Sequence, residues 1–466
     1  MSKEKSSNRI VAFNLAGKFL LNGINFFVVS IFTRMLGTEN FGLFSLYLTW
    51  ESIVLIFVGL QTQSIIGNVS MKYDKQERCR FLSSNIFLSF VMFAELWLIF
   101  LMFKNRISSF MGLPPVIVGF MLIHALTNYG VNIVTGVWSF DKEAEKNFFV
   151  SLILSLTNII LSIWFINSIQ EYDNKYIGRI VGSALPTIVM GSGSIIFILA
   201  KGRTLFNKEY WKYTLGFSIP IVFHALSNLI LNQSDRIMLQ KIGSLREVGI
   251  YSVIFTLTNV LSILMDAFNT AWVPFFYEDL KTRKLENIRA KTKNYVNLFS
   301  FLTVGFLLLA PEVLSWYAGD EYTIKAKALP FLAVGVFFTF LYSFPINYKY
   351  YKGKTKSIAV GTVGAGLCNI VLNALLIPQY GILGAAVATV ISYILLWIFH
   401  YVGAIRLDKE AYPYSLSLFL PNIIVIVIVA IFAYVIVYDF PIIRWGLAVI
   451  DGLIMLCSVI KRKTIW

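Results

Sequence analysis

Long apolar segments recur along the whole chain, and short polar connections separate them. Each segment is about 20–25 residues long, the length that a helix needs to cross ~30 Å of hydrocarbon. The pattern therefore predicts an all-α polytopic membrane protein with about 14 transmembrane helices. The predicted spans are 10–33, 41–66, 81–103, 114–138, 148–168, 176–200, 213–235, 248–272, 294–317, 328–350, 357–377, 382–405, 415–437 and 441–460.

The composition agrees with this interpretation. Hydrophobic residues make up 57% of the chain, charged residues make up 14%, and the mean hydropathy is +0.71. A soluble domain carries about 25% charged residues. The longest connection, residues 273–293, is rich in Lys, Arg, Glu and Asn and predicts a short amphipathic helix on the cytoplasmic face. The sequence therefore leaves no room for a separate soluble domain.

Positive charges are concentrated in every second connection. With a cytoplasmic N-terminus, the inside segments hold 28 Lys and Arg residues and the outside segments hold 9. Cytoplasmic loops carry this excess in membrane proteins. The split predicts an even number of spans with both termini in the cytoplasm. It also explains the net charge of +15 without a nucleic-acid partner, and it places basic loops beside anionic lipid headgroups.

The sequence shows no recognisable catalytic or nucleotide-binding motif. The sequence shows no nucleotide-binding glycine loop, no metalloprotease HExxH motif and no nucleophile-elbow serine. The cysteines, Cys79, Cys368 and Cys457, are scattered and lack metal-ligand spacing. We therefore expect no cofactor, no metal centre and no catalytic residues. Glycines in 191–194 and 361–366 lie within spans and predict close helix packing.

An internal repeat organises the spans. Residues 36–45 are similar to residues 242–252, and residues 156–161 are similar to residues 367–372. Both spacings correspond to about six helices, so both copies enter the membrane from the same side. The repeat predicts parallel six-helix halves at 1–205 and 206–405, followed by two extra helices in 406–466. Halves of this kind are expected to enclose a central cavity that opens alternately to each side.

Polar side chains form a stripe on the first helix of each half. Residues three or four positions apart lie on one helical face. The first stripe contains Asn14, Lys18, Asn22 and Asn25, and the second contains His224, Asn228, Asn232 and Asp235. We expect both stripes to face the cavity. The alternatives are that the amides join helices, that Lys18 extends to the membrane surface, and that His224 is a packing residue.

Carboxylates inside the spans are candidates for ion coupling. Ionisable groups in a membrane are costly and usually face the bundle interior or water. Glu51 in the second helix and Asp266 in the eighth occupy corresponding helices of the two halves, and Asp235 ends the seventh. Each could bind Na⁺ or a proton, or instead pair structurally with a nearby cation. His124, Arg179 and His400 are isolated in the sequence, which favours structural roles.

Several short motifs resemble one known family. Residues 33–45 and 235–252, together with Trp272-Val273-Pro274-Phe275, are similar to the helix junctions of Wzx-type polysaccharide-biosynthesis flippases of the MOP superfamily. The resemblance implies a bacterial inner-membrane protein that moves undecaprenyl-pyrophosphate-linked oligosaccharide outward for O-antigen, lipopolysaccharide or capsule synthesis. Its implied partners are membrane lipids, Na⁺ or H⁺, and a polymerase of the same pathway. Lys18, Arg34 and Arg236 are the implied headgroup contacts, with a position at the outer rim as the alternative for Arg34 and Arg236.

Two other functions stay open. The first is a different ion-coupled MOP exporter, for drugs or peptidoglycan precursors. The second is an oligosaccharide polymerase, an enzyme that uses the same lipid carriers. The polymerase is disfavoured because the longest predicted external connection, around 234–247, is too short for a catalytic loop.

Overall fold

The fold is all-helical and polytopic, as predicted. The computed structural model describes residues 2–408, 412–435 and 440–462, without the side chains of residues 2–19, 22, 355 and 462. In these ranges every regular element is a helix or a 3₁₀ turn. Thirteen helices there are long and apolar enough to cross a membrane. The protein is therefore a multi-pass membrane protein.

The first two predicted spans share one continuous element. Helix α1, Ser2–Gly59, contains a non-helical residue at Gly37, whose φ of 67° favours glycine. In the second copy of the repeat the chain forms two separate helices, α8 (Lys208–Ile242) and α9 (Leu245–Lys281). The Ser244 side chain caps the start of α9. Both copies therefore interrupt the helix at the matching motif. In the first copy, however, the two predicted spans stay in one element, so fourteen predicted spans correspond to thirteen helices in the described ranges.

The predicted amphipathic helix at 273–293 is wrong. Helix α9 continues to Lys281, and α10 (Leu285–Ala318) begins after a connection of residues 282–284. Lys, Arg and Glu are good helix formers, so a membrane helix extends beyond the bilayer where the sequence becomes polar. The segment is divided between two long helices.

The contacts group the chain into two compact units, Met1–Leu229 and Ile230–Trp466. Helix α8 contributes to both, and the domain division at 205 and 405 stays a prediction. In the first unit α7 packs against α3, α5 and α6, which makes it the central helix. Besides α1 and part of α8, this unit contains α2 (Ile66–Lys72), α3 (Lys75–Met102), α4 (Lys104–Met111), α5 (Pro115–Phe140), α6 (Ala144–Ser168) and α7 (Lys175–Gly202).

The second unit is built around α12 and α14. Helix α14 packs against both α12 and α13, while α10 contacts α9, α15 and α16. A large aromatic cluster, including Tyr295, Phe299 and Phe340, fills the space between α9, α10 and α12. The remaining helices are α11 (Asp320–Thr323), α12 (Leu329–Tyr351), α13 (Thr355–Tyr380), α14 (Ile382–Leu407), α15 (Leu416–Val435) and α16 (Pro441–Arg462).

Close approach of α5 and α7 depends on glycine. A Cβ atom at Gly191 would lie 2.0 Å from the backbone oxygen of Thr127, whereas a Cβ at Gly193 would meet nothing within 4 Å. Small residues allow helix backbones to approach in membranes. The predicted packing role is therefore confirmed at Gly191, while Gly193 faces open space.

This contrast yields a stability prediction. We expect Gly191→Ala to destabilise the protein by about 1–3 kcal/mol, because the new methyl group must displace backbone. Gly193→Ala is the matched control, and it should be neutral or slightly stabilising because alanine favours helices. Thermal unfolding of the two purified variants, followed by tryptophan fluorescence, makes the comparison. Equal melting temperatures would contradict the assigned packing.

Candidate functional site

The polar stripe of α1 is described only in part. The side chains of Asn14, Lys18 and Asn22 lie outside the described residues, so their orientation stays a prediction. Asn25 and Arg34 are both exposed. Exposure agrees with a surface that can meet a polar ligand.

Glu51 belongs to a buried polar group of the first unit. Its Oε1 accepts a hydrogen bond of 3.0 Å from Asn128 Nδ2. One turn earlier, the Tyr47 hydroxyl lies 3.0 Å from His124 Nδ1, and the two rings are stacked. The carboxylate is thus held between α1 and α5, with an amide as its hydrogen-bond donor. His124, which is isolated in the sequence, has a partner here.

Arg179 forms a second buried centre in the same unit, and the sequence pattern did not reveal it. The residue is 7% exposed, and its Nη1 donates to Asn158 Oδ1 and to Ser162 Oγ, both at 2.6 Å. The guanidinium carbon lies 3.9 Å from the Phe32 ring centre and 4.6 Å from that of Phe44. The only available signal was Asn158, which lies in the repeated motif.

Two residues of the second polar stripe lie in the first part of α8, within the first unit. His224 Nε2 lies 3.1 Å from Asn228 Nδ2, so these stripe residues pair with each other along the helix. Asn232 belongs to the second unit, where its Oδ1 accepts a bond of 2.7 Å from the Tyr393 hydroxyl. Asn232 and Tyr393 line a cavity of about 360 Å³ together with Asn259.

Asp235 is the most buried carboxylate candidate, with 0% exposure. Tyr251 and Thr389 donate to its Oδ2, and Asn373 donates to its Oδ1. Thr389 also lines the cavity of about 360 Å³, so this network adjoins an internal space. A carboxylate with neutral amide and hydroxyl partners offers hard oxygen atoms to a small cation, or an anionic site to a proton.

The Asp235 network extends along α13. Asn369 Oδ1 accepts bonds from Ser234 Oγ, at 2.9 Å, and from Asn373 Nδ2, at 3.0 Å. Asn373 Oδ1 is buried without a hydrogen-bond partner. A buried unsatisfied oxygen is costly. It would be satisfied by a cation or a proton donor at this place.

Arg236 and Asp266 do not donate to or accept from Asp235 in the hydrogen bonds described above. The Arg236 Nε donates to Ser252 Oγ at 3.0 Å, and its guanidinium lies 5.1 Å from the Phe255 ring centre. Asp266 is exposed, and its backbone oxygen accepts from the Thr270 hydroxyl. Within the described part of the chain, therefore, Asp266 resembles Glu51 in sequence position but not in burial.

Corresponding places in the two units hold opposite charges. The repeat aligns Asn158 with Asn369 and, four residues later, Ser162 with Asn373. In the first unit this pair surrounds the Arg179 cation, and in the second unit it adjoins the Asp235 anion. The same framework of small polar side chains therefore supports a buried cation in one unit and a buried anion in the other.

Comparison with known proteins gives relatives along most of the chain. It is 24% identical over 391 residues to Lsg locus putative protein 1 of Haemophilus influenzae, covering 80% of this chain and 93% of that protein. It is 22% identical over 417 residues to the probable low-salt glycan biosynthesis flippase Agl15 of Haloferax volcanii, covering 86% and 83%.

Solved structures share the fold. The lipid II flippase MurJ, in an inward closed conformation, matches with a TM-score of 0.68 and 16% identity over 97% of this chain and 99% of that one. An inward-facing multidrug resistance MATE transporter of the MOP superfamily matches with a TM-score of 0.64 and 16% identity, covering 85% and 96%. The family described as polysaccharide biosynthesis protein matches residues 9–278, more than half of the chain. The chain belongs to this polysaccharide biosynthesis protein family.

Proposed function

We propose that the protein is a flippase that moves undecaprenyl-pyrophosphate-linked oligosaccharide from the cytoplasmic to the outer face of a bacterial inner membrane. The observation that carries this proposal is the family match over residues 9–278. The Haloferax relative and MurJ are both named as flippases, which supports the same class. Both termini are proposed to be cytoplasmic, on the basis of the charge distribution.

The chemistry of such a substrate explains why a protein is needed. Moving a pyrophosphate and its sugars through hydrocarbon costs much free energy, whereas the apolar polyprenyl tail is already dissolved in the hydrocarbon. We assign the headgroup to the polar residues of α1 and α8 and the tail to the lipid phase. The proposed headgroup contacts are Asn14, Lys18, Asn22, Asn25, Arg34, His224, Asn228, Asn232 and Arg236.

Transport is proposed to be coupled to Na⁺ or H⁺. Of the three candidate carboxylates, Asp235 has the strongest support, because it is fully buried, surrounded by neutral donors and next to a cavity. Glu51 is buried with one amide donor, and Asp266 is exposed. A polymerase of the same pathway is the proposed protein partner, since it would consume the flipped product.

The proposed function can be tested with purified protein in proteoliposomes. We expect a fluorescent undecaprenyl-pyrophosphate oligosaccharide to become accessible to an external glycosidase faster than in protein-free vesicles. A polyprenyl phosphate without sugars and a cationic drug are the comparison substrates. Faster movement of the drug than of the oligosaccharide would support the exporter alternative, which the MATE-like fold also permits.

The same assay tests Lys18. We expect Lys18→Ala to slow oligosaccharide flipping about tenfold or more, because a cation on a polar stripe is lost opposite an anionic pyrophosphate. Lys18→Arg keeps the charge and should retain more activity. Reconstitution yields of the two variants are compared first. Full activity of Lys18→Ala at an equal yield would exclude Lys18 from the headgroup contacts.

A further inference from the structure

A strongly basic cleft lies in the second unit, at the end of α12 and α14 where the positive-inside pattern predicts the cytoplasm. It has a volume of about 890 Å³. Its cations come from three helices or their ends, namely Lys349 from α12, Lys354 and Lys356 from the start of α13, and Arg406 from the last turn of α14. The residues assigned to the substrate headgroup lie elsewhere, so this cleft is independent of the proposed function.

Backbone geometry brings these cations together. Gly353, with φ of 68°, closes the turn between α12 and α13. The turn is secured by a bond of 2.9 Å from the Lys354 amide to the Lys349 carbonyl. Gly403 leaves room on α14, since a Cβ there would come within 2.8 Å of Lys349 Nζ. The turn and the missing side chain therefore hold the Lys349 ammonium at the cleft.

Lys349 is buried without a carboxylate. The residue is 1% exposed, and its Nζ donates to His400 Nδ1 at 2.9 Å. An ammonium can only donate, so His400 accepts with Nδ1 and is neutral, with its proton on Nε2. Within the described part of the chain, no carboxylate oxygen lies within 4 Å of Lys349 Nζ. A buried cation with only a neutral partner is costly unless an anion reaches it.

The other cations of the cleft are also left without carboxylates. Lys354, Lys356 and Arg406 are exposed, and none forms an ion pair with a described residue. The nearby Asp408 accepts instead from Lys352, at 2.9 Å, and this contact raises the pKa of Lys352. Asp408 is thus committed outside the cleft, and the lining residues contribute four positive charges and no negative one.

A cleft in the first unit provides an internal comparison. It has a volume of about 520 Å³ and is lined by cations that include Arg78 and Lys146. Two lining carboxylates pair with these two cations, since Asp141 binds Arg78 at 2.6 Å and Glu143 binds Lys146 at 2.7 Å, while Lys75 and Lys201 complete the four cations of the lining. The hydrogen bond from Arg78 lowers the pKa of Asp141, which keeps it ionised. The lining of the first cleft therefore includes two carboxylates, and the lining of the second cleft includes none.

The wall of the basic cleft is apolar. Leu395, Ile398, Phe399 and Val402 line it at helical spacing on α14, and all four are exposed. Their positions, one to three turns before Arg406, run from the predicted membrane surface toward the bilayer interior. A cationic rim above an exposed apolar face matches a molecule with an anionic headgroup and an acyl chain.

We propose that this cleft binds one anionic phospholipid of the bilayer, with its phosphate among Lys349, Lys354, Lys356 and Arg406 and an acyl chain along the apolar face of α14. Basic pockets between transmembrane helices on the cytoplasmic side bind anionic headgroups in this way. A free phosphate shares the headgroup chemistry but makes no use of the apolar wall. The lipid would supply the negative charge that the lining of this cleft lacks.

Native mass spectrometry of the purified full-length protein tests the proposal. Phosphatidylglycerol and phosphatidylcholine with identical acyl chains are titrated separately, and glycerol 3-phosphate is tested as a competitor. We expect phosphatidylglycerol to bind more tightly than phosphatidylcholine. We expect the triple variant Lys354→Gln, Lys356→Gln, Arg406→Gln to weaken that binding about tenfold or more.

The control removes the same charge elsewhere in the unit. The triple variant Lys281→Gln, Lys284→Gln, Lys293→Gln changes exposed lysines of α9, α10 and the connection between them, and it should bind phosphatidylglycerol like the wild type. Exchange of Lys354 and Lys356 for Arg should also retain binding, which separates charge from folding. Equal binding of the two phospholipids, or equal losses in the two triple variants, would overturn the site. Competition by glycerol 3-phosphate at concentrations similar to those of the lipid would overturn the assignment to a phospholipid.

Discussion

Asp235→Asn is expected to lose gradient-driven oligosaccharide flipping, by about tenfold or more, while the protein stays folded. The substitution removes the negative charge that a cation or proton would neutralise. It keeps the shape of the side chain, and the hydroxyls of Tyr251 and Thr389 can reorient to accept from the new amide. Transport is measured in proteoliposomes with an imposed Na⁺ or proton gradient.

Two comparisons make this result specific. Asp173→Asn removes an exposed carboxylate outside the Asp235 network and should leave gradient-driven flipping unchanged. Asp235→Ala leaves the donors of three side chains without an acceptor, and each unpaired donor costs about 1–3 kcal/mol. We therefore expect the Ala variant to unfold at a lower temperature than the Asn variant.

Some outcomes would count against the coupling role. If the wild type flips equally fast with every gradient collapsed, transport is not ion-coupled, and Asp235 is structural. If only Glu51→Gln or Asp266→Asn abolishes the gradient dependence, coupling belongs to those carboxylates instead. Unchanged flipping by Asp235→Asn under either gradient would exclude Asp235 directly.

Arg179→Ala is expected to destabilise the first unit by about 3 kcal/mol or more. Two short hydrogen bonds to a charged donor are lost, and each contributes about 1.5–3 kcal/mol. The planar guanidinium also fills the space beside Phe32 and Phe44, so its removal loses packing as well as charge. The half-buried Asn158 and the buried Ser162 would be left as acceptors without their donor.

Thermal unfolding in detergent measures this effect. Arg80→Ala removes an exposed arginine from α3 of the same unit and should change the melting temperature little. Arg179→Lys keeps the charge but not the forked geometry, so an intermediate stability is expected. If Arg179→Ala and Arg80→Ala unfold alike, the buried arginine is not an organising centre of the first unit.

The class and helical content of the protein follow from local sequence. A segment must be apolar over about 20 residues to cross a membrane. That property can be recognised from the segment alone, without knowing which helices it packs against. The predicted spans agree with the helices except in two places: α1 ends at Gly59, inside the predicted span 41–66, and α9 extends through polar sequence to Lys281. In α9 the helix continues beyond the end of the apolar segment, because helix propensity and hydropathy are separate properties.

The candidate site could be predicted only in part. The sequence identified Asp235 and Glu51 because carboxylates are rare in spans, and the structure places both in buried hydrogen-bond networks. Arg179 stands alone in the sequence, because its partners Asn158 and Ser162 belong to α6 and its aromatic contacts belong to α1. Proximity of this kind depends on how helices rotate and pack, which periodicity along one helix does not specify.

What the sequence determined by itself was the membrane class, the positions of the spans, the duplicated motifs and the charge asymmetry between connections. Each depends on residues that are close in the chain or on simple counting. Only the tertiary structure decided that Gly191 packs against α5 while Gly193 does not. It also decided that two cations of the first cleft meet carboxylates while none of those in the second cleft does. The physical reason is that charge compensation and close packing act between side chains brought together by folding, whereas insertion into hydrocarbon is decided segment by segment.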